Sequence, residues 1–329
     1  MLSRILLCML VHISNQHEAN FMTQSLLNLA LNEYATRRAD SGIDFFAPKY
    51  VAVGKFNVRY VRHVKEGAPT LVLLNGLPQS IRIWESFWER LSHDFNLLAF
   101  DIPGFGLTKA DESDMSPRKL GQAVVEIMDH FGIQKAHLIG PDVGVPTTLA
   151  AVIAHPERFE SINIFDGPGS YPPKMSPILT AVIKSGFVRW LAKGLNRKAV
   201  MKTNFMVAVK EGYKRYRPTK NAIREYYQIT HDLQSHRCAM SFFGAYAQDL
   251  PWIQERLRSI SVPALVTWGK LDPFVDVSNA DYLAKHIPLS KLVVFENASH
   301  FSSEDAGEEY LKTLTNWCLG EYKGIRGKA

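Results

Sequence analysis

Cysteine is scarce in this chain. Cys8, Cys238 and Cys318 are the only three among 329 residues, and none stands in a paired spacing. That excludes a disulfide framework and gives no redox or thiolate-metal motif, so a reducing, cytoplasmic setting is the default expectation. No cluster of His, Cys and carboxylates has metal-ligand spacing. Gly104-Phe105-Gly106 lacks the third glycine of a dinucleotide loop, and no phosphate loop occurs, so neither a metal nor a cofactor is expected. Internal repeats and low-complexity linkers are absent too.

A chain of this length buries one large core and still spares a smaller appended domain. The net charge is +6, and the excess is local: from Gly167 to Lys220 twelve Lys and Arg face a single acid, Glu211. Such a stretch is a solvated surface, or it steers anionic substrates or touches phospholipid or nucleic acid. No base-stacking motif or phosphate cradle lies beside it, which favours the solvated surface and argues against nucleic acid. Residues 1–44 read as an N-terminal extension. Arg4 with the apolar run Ile5 to Val11 has the shape of a short signal peptide, yet His12 to Asn20 is polar and has no clear cleavage site. The run is too short for a stable membrane span. Export is the alternative to a cytoplasmic location, and Met22 is an alternative start.

Beyond residue 45 the pattern becomes regular. Tyr50 to Val53 and Phe56 to His63 read as an antiparallel pair turned by Gly54-Lys55. Short, continuously apolar runs follow at Thr70 to Leu74, Asn96 to Phe100, Ala136 to Ile139, Ser161 to Phe165, Ala264 to Trp268 and Lys291 to Phe295. Runs of that kind belong to the buried strands of a parallel sheet. Amphipathic segments alternate with them: in Pro117 to Phe131, Leu120, Val124, Ile127, Met128 and Phe131 recur at helical spacing. The result is a mostly parallel, doubly wound α/β core over residues 45–166 and 251–322. Between them, residues 167–250 offer no buried strand, and predict a helical cap inserted after the sixth core strand, over the carboxyl ends where such sheets bind ligands.

Gly140-Pro141-Asp142-Val143-Gly144 joins a strand to the helix from Val145 to Ala154. A sharp strand-to-helix turn that pushes out its third residue needs small residues two before and two after it. Here that third residue is Asp142, although helix capping is an alternative use for an Asp. A carboxylate attacking an acyl carbon gains little, because the product is an anhydride. Attack on a saturated carbon bearing a halide or a strained oxygen leaves a stable alkyl ester on the enzyme. His300, in the loop after the last strand, is positioned to activate the water that hydrolyses it. A second acid orients the imidazole. Asp272, in Gly269-Lys270-Leu271-Asp272-Pro273, is preferred for that role, with Asp166 at the end of the preceding strand as the rival. The N–H groups of Leu77 and Val143 are expected to hold the oxyanion on Asp142.

These motifs resemble the α/β-hydrolase fold family, specifically its aspartate-nucleophile branch of epoxide hydrolases, haloalkane dehalogenases and fluoroacetate dehalogenases. The likeness runs from about Tyr50 to Trp317. Asn75-Gly76-Leu77-Pro78 is similar to the family's His-Gly-x-Pro oxyanion loop, with Asn in place of His. Asp101-Ile102-Pro103-Gly104-Phe105-Gly106 is similar to its Asp-x-x-Gly-x-Gly segment. The halide-binding Trp and Asn of haloalkane dehalogenases are replaced by Val143 and Leu77, which have no side-chain donor. Val145 and Pro146 stand near where fluoroacetate dehalogenases carry arginines. What the resemblance implies is therefore an epoxide hydrolase first and a dehalogenase second. Epoxide opening requires a cap donor; Tyr246 is the candidate, although the register that best matches the family's cap tyrosine falls on Phe243, and Trp190 stands where dehalogenase-like caps place an indole donor for the leaving group. A ligand-binding protein without turnover is the alternative from another class, and a buried charged trio argues against it. The expected partner is a small, mainly apolar substrate under the cap, and a homodimer is compatible with the sequence.

Overall fold

The computed structural model describes residues 46–194 and 198–327. The features read over residues 1–44 lie outside them. Eight strands form one sheet: β1 (Lys49–Val53), β2 (Phe56–His63), β3 (Thr70–Leu73), β4 (Asn96–Phe100), β5 (Ala136–Pro141), β6 (Phe159–Phe165), β7 (Ala264–Gly269) and β8 (Ser290–Phe295). Their spatial order is β1-β2-β4-β3-β5-β6-β7-β8. Only β2 runs against its neighbours, pairing antiparallel with β1 and β4. Five of the observed strands extend the expected ones by a residue or two, β2 and β4 match them, and β3 stops one residue short, at Leu73. Phe159, for example, is buried and pairs with Ala136, so β6 starts before Ser161.

Eleven α-helices are described: α1 (Trp88–Ser92), α2 (Pro117–His130), α3 (Gly144–Ala154), α4 (Pro177–Lys184), α5 (Gly186–Gly194), α6 (Lys198–Gly212), α7 (Lys220–His231), α8 (Leu233–Arg256), α9 (Ser278–His286), α10 (Ser302–Ala306) and α11 (Glu308–Leu319). Alternate strand residues feed opposite faces of the sheet. Val72, Leu98, Leu138, Ile162 and Val266 pack with Leu120 and Val124 of α2, Leu149 of α3 and Leu283 of α9. Leu71, Leu97, Ile139 and Leu265 pack with Trp88 of α1 and with Leu314 and Trp317 of α11. The sheet is thus covered on both sides, which a mostly parallel sheet requires.

Helices α4 to α8 fill the chain between β6 and β7. The last of them passes the expected limit at residue 250, because Leu250 and Ile253 continue its buried face at helical spacing. Buried charge fixes this cap to the core. Glu225 of α7 accepts from Arg59 (2.7 Å), Arg82 (2.9 Å) and Ser80 (2.8 Å), and Arg59 also reaches Asp101 at 3.1 Å. Deleting one partner would leave the others desolvated and unpaired, so the group acts as a clamp.

Strand order reverses at β3, which has β4 on one side and β5 on the other. In open sheets of this kind the crevice beyond the carboxyl ends at such a reversal is the binding position. The segments leaving β3 and β5 carry Leu77 and Asp142.

Candidate active site

At the turn after β5, Asp142 has φ +48°, a conformation uncommon for a residue other than glycine. The turn closes because Gly140 has no side chain: a Cβ there would lie 2.2 Å from Thr148 Oγ1 and 2.5 Å from the Gly144 carbonyl oxygen. Gly76 likewise lets the oxyanion loop approach, since a Cβ there would stand 3.1 Å from Asp142 Cβ. The Leu77 N–H donates to Asp142 Oδ2 at 2.7 Å, and the Val143 N–H also bonds this carboxylate. Asn75, which stands where the resembled loop has His, uses its amide to hold the loop itself. It donates to the Gly76 and Gln79 carbonyls and accepts from the Ile102 N–H.

His300 Nδ1 lies 2.8 Å from Asp272 Oδ2, and its Nε2 lies 4.0 Å from Asp142 Oδ1. The first is a hydrogen bond and the second is too long to be one. The other Asp272 oxygen, Oδ1, accepts from the Phe274 and Val275 N–H groups at 2.8 and 3.0 Å, which sets the carboxylate plane. Asp166, the rival acid, is occupied elsewhere. Its φ is +59°, and its two oxygens accept from the Gly269 and Ser302 N–H groups at 3.2 and 3.1 Å. The structure therefore brings Asp142, His300, Asp272, Leu77 and Val143 together and leaves Asp166 behind them as a backbone brace.

Charge is unevenly distributed over these groups. Burial pushes the His300 imidazolium down, but the charge and hydrogen bond of Asp272, then Asp142 and Asp166, outweigh it and raise its pKa to about 9. Burial raises the Asp142 carboxyl above its ordinary value; His300, Leu77 and Val143 oppose the rise, in that order. Asp166 is raised well above the ordinary range by burial and then by Asp272. The raised pKa of His300 favours its imidazolium form at neutral pH, between the carboxyl groups of Asp142 and Asp272.

The two cap candidates part company. Tyr246 is 1 % exposed, and its phenol is raised well above the ordinary value by burial and by the Asp142 charge, which places it within electrostatic reach of the carboxylate. Phe243 lies one turn away on the same face of α8, edge-on to Tyr246. Trp190 is 68 % exposed on the outside of α5, stacked on Phe187. It is not part of the site.

A neighbouring cluster escaped the sequence reading. Glu304 is buried, and its Oε2 accepts from Tyr213 Oη at 2.6 Å and Gln79 Nε2 at 2.8 Å; burial raises its pKa to about 8. One residue on, Asp305 accepts from the N–H groups of Ser299, Lys214, Arg215 and Tyr216. Gly307, at φ +55°, separates the short α10 that carries both acids from α11. These bonds tie the His300 loop to the oxyanion loop and to the cap segment after α6. Their partners lie 85 or more positions apart in the chain, apart from Ser299, so no local signal announces them.

The sequence profile of the alpha/beta hydrolase fold matches residues 69–306. A 2-hydroxy-6-oxononadienedioate/2-hydroxy-6-oxononatrienedioate hydrolase of Paraburkholderia phymatum is 24% identical over 261 residues, 78% of this chain and 88% of that protein. The 3-oxoadipate enol-lactonase 1 of Acinetobacter baylyi is 24% identical over 260 residues, 77% of this chain and 89% of that protein. The solved structure of the epoxide hydrolase CorEH superposes with a TM-score of 0.66 at 19% identity, over 82% of this chain and 97% of that one, a likeness of fold. The profile spans most of the eight-stranded core together with the turn at Asp142 and the loop at His300, and on that evidence the chain belongs to the α/β hydrolase fold family.

Proposed function

We propose that this hydrolase is an epoxide hydrolase that works through an ester on Asp142. The observation that carries the reading is the carboxylate itself, held in the elbow by the Leu77 and Val143 N–H groups. Asp142 Oδ1, on the His300 side, attacks an epoxide carbon, and the ring C–O bond breaks as the departing oxygen takes the Tyr246 proton. The attack consumes the Asp142 charge that opposes ionisation of that phenol, so proton donation becomes easier in the same step. Water then attacks the ester carbonyl. With the Asp142 charge consumed, the His300 imidazolium releases its proton to solvent, to be regained when Asp142 ionises again. The neutral imidazole takes one of water's protons and passes it to the leaving diol oxygen, while the Leu77 and Val143 N–H groups hold the oxyanion. The second proton, released when the Asp142 carboxyl ionises again, restores the Tyr246 phenol.

The dehalogenase reading loses support because Trp190 faces outward and neither Leu77 nor Val143 offers a side-chain donor to a halide. Hydrolysis at a carbonyl carbon is favoured by the names of the relatives, an enol-lactonase among them. The carboxylate nucleophile opposes it, since acyl transfer to Asp142 gives an anhydride. A panel of epoxides, alkyl halides and esters, scored for diol, halide and acid, tests the choice. Diol should dominate, and Tyr246→Phe should reduce its formation by about 10² to 10³ with little effect on substrate binding. Faster ester cleavage than epoxide opening, or full activity in Tyr246→Phe, would overturn the assignment.

A further inference from the structure

Ile178 of α4 and Phe187 and Trp190 of α5 are 61 %, 61 % and 68 % exposed. Phe187 and Trp190, three residues apart, share one helix face and stack with ring centroids 5.9 Å apart at 28°. Phe187 and Trp190 point to water side by side, and clustered exposure of this kind marks an interaction surface. The surrounding sequence is uniformly cationic. Residues 167–210 contain eight Lys and Arg, Lys174 and Lys184 among them, and no Asp or Glu, although Lys193 is paired with Glu112 and Arg189 donates to the Val182 and Ile183 carbonyls. Lys184 is exposed at the end of α4, three residues before Phe187.

From these features we infer that the outer face of α4 and α5 docks the protein on an anionic phospholipid bilayer. Aromatic rings on a helix lying along the surface enter the headgroup and acyl boundary, while lysines on the flanks reach the phosphates by extending their stems. Charge decides among the occupants. A second copy would set one cationic face against another, which costs association. Residues 1–45 carry three arginines against four acids, a near balance with no strong negative charge to offer this face. No helix among the described residues is long and apolar enough to cross a membrane, so attachment through this face is peripheral.

The test is co-sedimentation of the full-length protein with vesicles of phosphatidylcholine alone and of phosphatidylcholine mixed with phosphatidylglycerol. Binding should appear with the mixed vesicles, weaken as salt is raised, and fall roughly tenfold or more in Phe187→Ser/Trp190→Ser and in Lys184→Glu. All three residues are exposed, so far-UV circular dichroism and unfolding temperature should not change. Failure of the wild type to bind mixed vesicles would overturn the inference. So would binding unchanged by the double substitution, because another segment, such as Ile5 to Val11, would then carry it. Analytical ultracentrifugation completes the comparison: a dimer abolished by the double substitution, with no vesicle binding, would give this face to a second copy instead.

Discussion

Asp142→Asn should lower turnover by more than about 10³-fold, ~4 kcal/mol of barrier, while the protein unfolds at the same temperature or higher. The two halves of this expectation have one cause. Asp142 is held at φ +48°, in a buried place that raises its carboxyl above the ordinary value. A group whose folded pKa is raised stabilises the fold below its unfolded pKa and loses that contribution as pH rises through the folded value, so above that value the ionised carboxylate is a burden. Asn tolerates the same backbone conformation and fills nearly the same space without charge. It removes the burden and the nucleophile together, the usual trade of a functional site. Initial rates and thermal unfolding check the pair of outcomes. A variant that unfolds several degrees lower and keeps a hundredth of the rate would make Asp142 a structural residue.

His300→Gln should stop the reaction halfway. The substituted enzyme still has its nucleophile, so the epoxide opens and one equivalent of ester accumulates, seen by intact-protein mass spectrometry as an increase equal to the substrate mass. Ester hydrolysis should fall by more than about 10³-fold, since Gln cannot take water's proton. In the resting protein His300 titrates near 9, and one of the charges that keeps it there belongs to Asp142. Alkylation neutralises that charge, so in the ester the imidazole becomes a base at lower pH, when it is needed. The wild-type hydrolysis rate, measured in single turnovers, should therefore rise to a plateau with a midpoint below about 9. Stability has the opposite sign. The raised His300 pKa contributes below about 6.5, and this is lost as pH rises through about 9; His300→Gln should flatten that part of the profile, on the order of 3 kcal/mol in wild type. No adduct in His300→Gln, with substrate still bound, would exclude a covalent route.

Much of the core was legible because its signals are local. Alternation and apolar runs located all eight strands, and Gly140 and Gly144 marked Asp142 because only small residues allow that turn. The choice between Asp272 and Asp166 was only partly legible: the sequence favoured Asp272, but both follow a strand at the ligand edge. What separates them is where their oxygens find partners: Asp166 is taken up by the Gly269 and Ser302 N–H groups, and Asp272 keeps an oxygen for His300. The cap was hardest. Its helices announce amphipathic faces but not which face meets the core, so Tyr246 and Trp190 looked equivalent until α5 turned one outward and α8 buried the other. Glu304 and its partners Gln79 and Tyr213 were invisible for a different reason, because folding alone joins three residues with no common motif.

Whether Asp142 is the nucleophile is tested most directly by a single turnover in oxygen-18 water, with enzyme in excess over an epoxide. If Asp142 attacks carbon, the oxygen delivered to the diol comes from its carboxylate, so the product is unlabelled and oxygen-18 is found in the peptide containing Asp142. Oxygen-18 in the diol of that first turnover, with an unlabelled Asp142 peptide, would mean that water attacks the substrate directly and would contradict the covalent mechanism.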